Sequence, residues 1–176
     1  VKAIRDSRII NSGQVCNCAE RVYVERKVAD QFIERIAAAM SATRYGDPIA
    51  QADVEMGPLI NRQGLDSVDR KVRTALSQGA SLISGGQIAD LPNGFHFQPT
   101  VLAGCSAEME IMREEIFGPV LPIQIVDDLD EAAHRSLRGR TPRHRDRRAR
   151  PRPVGRGRQQ AQLCADGRRC RRSARE

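Results

Sequence analysis

Two cysteines one residue apart, Cys16 and Cys18, lie in the stretch NSGQVCNCAERVYV, between a glycine-containing turn and a run that alternates like a strand. A cysteine is nucleophilic only as its thiolate. A helix N-terminus, or a tight turn that aims backbone N–H groups, lowers the thiol pKa and can also hold an oxyanion. SGQVC followed by NCAERVYV offers such a turn, and Gly13 gives its backbone the freedom to form. A reactive cysteine is one reading; a buried, inert cysteine is the other. Zinc fits poorly. The pair is closer than the usual spacing of zinc-binding cysteines, and no second cysteine or histidine pair follows. A disulfide across a single residue is geometrically poor.

Other residues offer chemistry less directly. Glu115, in the charged run REE, reads by itself either as a functional carboxylate or as a solvated helix face, and Phe117 reads as core. Cys105 and Cys18 read as packing residues, and Gln14 as a residue that shapes the turn or is merely exposed. His96 belongs to a strand or turn, while His134 and His144 lie at or beyond a break in the sequence pattern, so none is a convincing base. Asp127 and Asp128 look like an exposed strand end rather than a metal pair, and no metal site is expected.

The elements that must position these residues are legible from periodicity. Residues 1–10 read as the end of a helix leading into the cysteine turn. Arg21 to Glu25 alternates and is rich in β-branched and aromatic residues, which predicts a strand. Ala29, Phe32, Ile33, Ile36, Ala37 and Met40 recur at helical spacing, and Gly46 with Pro48 ends that helix. Leu65, Val68, Val72 and Leu76 predict a second amphipathic helix, closed at Gly79. A strand in ASLISGG, a turn at Asn93–Gly94, extended chain to QPTVL, a short helix before EEIFGPV and a strand from about Val120 to Val126 follow. Asp130 is placed to cap one more helix over EAAHRSL. The succession predicts an α/β fold.

The charge is unevenly spread. Residues 136–176 hold 15 Arg and 3 acidic residues, a net charge of +12; subtracting these from the totals of 29 basic and 22 acidic leaves 14 against 19, or −5, for residues 1–135. The overall +7 therefore belongs to the last quarter of the chain. From 136 on, the Arg/Pro/Gly-rich text has almost no apolar residue and no period, which predicts disorder. Five cysteines at irregular spacing argue against a disulfide scaffold and for a reducing, cytoplasmic compartment. No signal peptide or membrane-spanning run is visible, and the absence of an initiator Met at Val1 suggests a start further upstream.

Taken together, the motifs resemble the aldehyde dehydrogenase superfamily. NSGQVCNCAERVYV resembles its cysteine motif, with Gly13 and Gln14 as the Gly-Gln pair and Cys16 as the nucleophile. EEIFGPVLP resembles its second signature, and MGPLI, SGG and FQPTVL fall between the two in family order. The wording around Cys16 is most similar to the lactaldehyde/glycolaldehyde dehydrogenase subgroup. The resemblance implies a partial, cysteine-bearing catalytic domain over residues 1–135. Its activity would be NAD-dependent (or NADP-dependent) oxidation of a small aldehyde to the acid through a cysteine thiohemiacetal and thioester. It implies Glu115 as the carboxylate that holds the nicotinamide ribose and Phe117 as the aromatic beside the nicotinamide. A homo-oligomeric parent is implied as well.

The likeness ends near His134, where the family continues with a helix and a YGL-like segment and this chain reads RSLRGRTPRHRDRR. That change suggests a shifted reading frame, with a natural basic tail as the alternative. The resemblance also places the dinucleotide-binding core, the oxyanion-hole asparagine and the general base upstream of Val1. Residues 1–176 alone are therefore expected to be inactive. The competing reading is a non-enzymatic chain that binds polyanions through its Arg-rich end; without aromatic residues interleaved for base stacking, specific nucleic-acid binding is not expected.

Overall fold

The computed structural model describes residues 1–139. Their order is α1 (Lys2–Ile9), a 3-10 turn (Ile10–Gly13), β1 (Val22–Glu25), α2 (Ala29–Ser41), α3 (Arg62–Ser77), β2 (Ser81–Ser84), β3 (Thr100–Ala103), α4 (Glu110–Arg113), β4 (Val120–Val126) and α5 (Leu129–Gly139). The fold is α/β, as the alternating patterns imply. The expected Arg-rich tail and its disorder lie outside the described residues, apart from the last turn of α5, which runs through the change of composition at 136.

A four-stranded sheet in the order β1-β4-β3-β2 forms the centre. β1 and β3 both run parallel to β4, and β2 closes one edge antiparallel to β3. β4 is buried along almost its whole length, which explains its unbroken apolar text VLPIQIV: a strand covered on both faces has no solvent side to alternate with. Its neighbours share it end to end. β3 pairs with Val120 to Pro122, and β1 pairs with Ile123 to Val126. Pro122, which has no N–H to give a ladder, sits where one neighbour hands over to the other.

Successive residues of the central strands feed opposite cores, as a period of two requires. Leu102 and Val120 join Leu65, Val68 and Val72 of α3 and Ile111 and Met112 of α4. Val101, Leu121 and Ile123 join Ile9 of α1 and Ile36 and Met40 of α2. Helices thus cover both faces of the sheet.

Helix ends follow local chemistry. Asn61 caps α3, its side-chain oxygen accepting the Gly64 N–H at 2.8 Å. Asn61→Ala should lower stability by about 1 kcal/mol, read as a lower urea midpoint at unchanged slope. At α5 the capping residue differs from the expectation. Asp130 lies inside the first turn, and Asp128 accepts the Glu131 N–H at 2.8 Å while Glu131 accepts the Asp127 N–H at 2.7 Å. The reciprocal pair starts the helix earlier and gives Asp127 and Asp128 structural work. Among the described residues no group of three or more His, Cys, Asp or Glu is placed to hold a metal, and no helix is long and apolar enough to cross a membrane.

Candidate active site

The sheet topology brings the two signature segments together. The cysteine turn leads into β1 and residues 114–119 lead into β4; because β1 and β4 are adjacent and parallel, both segments enter at the same end of the sheet. This is the amino end of the strands, opposite to the end at which open α/β sheets usually bind ligands.

The turn begins with three consecutive residues in the left-handed region, Asn11 (φ 46), Ser12 (φ 58) and Gly13 (φ 74). Such a run is costly for Asn and Ser and is held from outside. Ser12 Oγ donates to Gly57 O at 2.7 Å. Gln14 Oε1 accepts the Ile60 N–H at 2.9 Å, and its Nε2 donates to Asn11 O at 2.9 Å. Gln14 is therefore a bridge between the cysteine turn and the MGPLI link. Gly13 is pressed against the second segment: a Cβ there would lie 2.2 Å from Gly118 O.

Cys16 is exposed at the tip of a turn rather than at a helix N-terminus. Cys18, whose N–H donates to Val15 O at 3.2 Å, is half-buried behind it. Burial pushes the Cys18 thiol up, the Arg8 guanidinium opposes this, and the Glu20 carboxylate adds to it. Cys105 is buried beside β4, and burial pushes its thiol up to about 11. Of these three thiols only Cys16 stands open to a substrate.

Glu115 does not sit on a helix. It follows α4 in an extended run in which Ile116 points inward and Glu115 and Phe117 point outward. Glu115 shares an open cavity of about 440 Å³ with Cys16, Cys18, Glu20, Arg21 and Tyr23. Phe117 lies outside that cavity lining and is 46% exposed, so it is not the core residue its composition suggests. His96 is buried, its Nε2 paired with Asn93 O at 3.1 Å, and it does not line the cavity of Cys16 and Glu115.

Sequence reasoning missed the side chains that hold the 112–118 segment. Arg8, fully buried, donates to Ile116 O at 2.5 Å and to Gly118 O at 3.0 Å. Lys71 of α3 donates to Glu115 O at 2.5 Å, Arg21 donates to Met112 O at 2.5 Å, and Glu20 Oε1 accepts the Ile116 N–H at 2.5 Å. Cations thus bind four carbonyls outside ladders and helices, of which Ile116 O and Gly118 O also accept a backbone N–H, from Gly118 and Val120. The available signal was slight: Arg8 stands beside Ile9 and one turn after Ile4, at the buried end of a short helix.

Residues 1–136 match the aldehyde dehydrogenase family. Lactaldehyde dehydrogenase of Escherichia coli strain K12 is 50% identical over 132 residues, covering 75% of this chain and 27% of that protein. The crystal structure of the lactaldehyde dehydrogenase from E. coli superposes with a TM-score of 0.74 at 49% identity, over 77% of this chain and 28% of that one. An NAD+ complex of an aldehyde dehydrogenase from Bacillus cereus superposes with a TM-score of 0.73 at 28% identity, over 77% and 27%. The chain thus spans little more than a quarter of the length of these relatives.

Proposed function

Since this chain belongs to the aldehyde dehydrogenase family, we propose that residues 1–135 are the cysteine-bearing part of an enzyme that oxidises a small aldehyde, of lactaldehyde or glycolaldehyde type, to its carboxylic acid with NAD(P)+. The observation that carries this reading is the cavity that Cys16 and Glu115 share, with Cys16 the exposed thiol among those described. The segment 136–176 is assigned no part in the chemistry. The parent enzyme is taken to be homo-oligomeric and cytoplasmic, in keeping with free thiols at Cys16, Cys18 and Cys105.

The residues present fit a nicotinamide nucleotide. Glu115 offers an exposed carboxylate to ribose hydroxyls, and Phe117, two residues along the same extended run, offers a half-exposed ring to a flat heterocycle. When bound, the oxidised nicotinamide supplies the hydride acceptor. The chain's own share is covalent. The Cys16 thiolate forms an S–C bond to the aldehyde carbon while the carbonyl electron pair moves to oxygen, a charge that the Cys16 backbone N–H would help to hold. At the acid oxidation level Cys16 carries the carbon as a thioester; water cleaves it, releasing the acid and restoring the thiol.

The decisive experiment is a chimera in which residues 1–134 replace the matching stretch of the E. coli lactaldehyde dehydrogenase. NADH should form with lactaldehyde or glycolaldehyde, and Cys16→Ser in the chimera should reduce turnover by more than about a thousandfold. A folded chimera whose activity survives Cys16→Ser would sink the assignment. Residues 1–176 alone should give no NADH above background.

A further inference from the structure

We propose that Arg8 is a positioning residue whose guanidinium fork locks the cysteine turn and the Glu115–Phe117 segment into one rigid unit, so that the nucleophile and the ribose-holding carboxylate are set relative to each other from beneath. The inference rests on the roles proposed for Cys16 and Glu115, but its geometry does not.

One side of the guanidinium serves each segment. Nε donates to Gly118 O at 3.0 Å, and one terminal nitrogen donates to Ile116 O at 2.5 Å and also to Gly118 O. The other terminal nitrogen donates to Cys18 Sγ at 3.2 Å, Ala19 O at 3.1 Å and Glu20 Oε2 at 3.0 Å. Glu20 closes the ring, because its second oxygen accepts the Ile116 N–H. The residues so fixed flank the proposed chemistry. Cys18 is two residues beyond Cys16, and Ile116 lies between Glu115 and Phe117. With Lys71 holding Glu115 O, the backbone on both sides of the Glu115–Ile116 peptide is pinned, and alternation then dictates where the carboxylate and the ring point.

A planar, rigid fork is what this arrangement uses. Lysine would keep the charge but could not span two segments at a fixed angle. Arg8 is also fully buried, so solvent cannot take over its contacts. Nothing in the ring requires Arg8 to touch substrate or cofactor.

Native-state hydrogen exchange on the 176-residue chain tests this. In the unmodified chain the amides of Cys18, Ala19, Ile116 and Gly118, bonded to Val15 O, Ser7 Oγ, Glu20 Oε1 and Ile116 O, should exchange through one common opening with the same dependence on urea. In Arg8→Lys that unit should split into two openings, each at least about tenfold faster, while Val72 and its neighbours in α3 keep their protection. Arg8→Met should do the same. If Arg8→Met fails to fold, the unmodified chain and Arg8→Lys decide the matter. Separate openings in the unmodified chain, a single opening retained in Arg8→Lys, or an equal loss of protection throughout α3 in Arg8→Lys would each overturn the proposal. Because exchange is read without turnover, these outcomes stand apart from the Cys16→Ser result in the chimera.

Discussion

Gly13→Ala should destabilise the domain by about 2–5 kcal/mol and separate the cysteine turn from the segment that carries Glu115. Two effects add. The residue sits at φ +74, where a side chain adds roughly 1–2 kcal/mol of strain. The new methyl would also lie 2.2 Å from Gly118 O and 3.1 Å from Arg8 O, both backbone atoms that cannot rotate away. Forcing atoms into such a contact costs about another 1–3 kcal/mol. Gly79→Ala is the matched control. Gly79 has φ +102 but nothing within 4 Å of its would-be Cβ, so only the backbone penalty of roughly 1–2 kcal/mol should appear. Urea unfolding of both variants gives the comparison. Equal losses would mean that the close approach of the two segments contributes nothing.

Cys105 should make stability depend on pH between 9 and 11. Burial moves its thiol from 9.0 to about 11, so the folded state holds this proton where the unfolded chain releases it. The sign follows: the folded pKa of an acid is raised, so its stabilisation is intact below pH 9 and is lost as the pH climbs from 9 to 11. Two units correspond to about 3 kcal/mol. The informative quantity is the difference from Cys105→Ala, whose stability should fall less steeply across this window. Iodoacetamide labelling reads the same property. At pH 8 about one Cys105 thiol in a thousand is ionised and it is buried as well, so labelling at exposed Cys16 should run at least about a hundredfold faster. Comparable rates at the two sites would contradict this environment for Cys105.

Both predictions rest on features that differ in how far a sequence reader could see them. Gly13, Gln14 and Cys16 were visible as a motif, and the period of three and four in α2 and α3 was visible as helix. Local steric rules and hydrophobic spacing act within a few residues, so a linear text records them. The partition of the cysteines was also within reach in outline, since Cys18 and Cys105 were expected to pack. That Phe117 stands half-exposed agrees with the resemblance, which sets it beside a nicotinamide, but not with its composition, which reads as core. An extended run with alternate residues in and out has the same composition as a buried one, and only the neighbours reveal its direction.

By itself the sequence determined the α/β class, the identity of the helices and strands, and the candidates Cys16, Glu115 and Phe117. The tertiary structure decided that Cys16 and Glu115 line one cavity. They are 99 residues apart, and their proximity comes from the parallel pairing of Val22 with Ile123 and the residues that follow, which sets both preceding loops at one end of the sheet. The structure also decided what holds them there. Arg8, Glu20, Arg21 and Lys71 form no spacing pattern with the carbonyls and amide they satisfy. A buried backbone group away from ladders and helices must find some partner, but which side chain supplies it is fixed by three-dimensional adjacency, and that is absent from the order of residues.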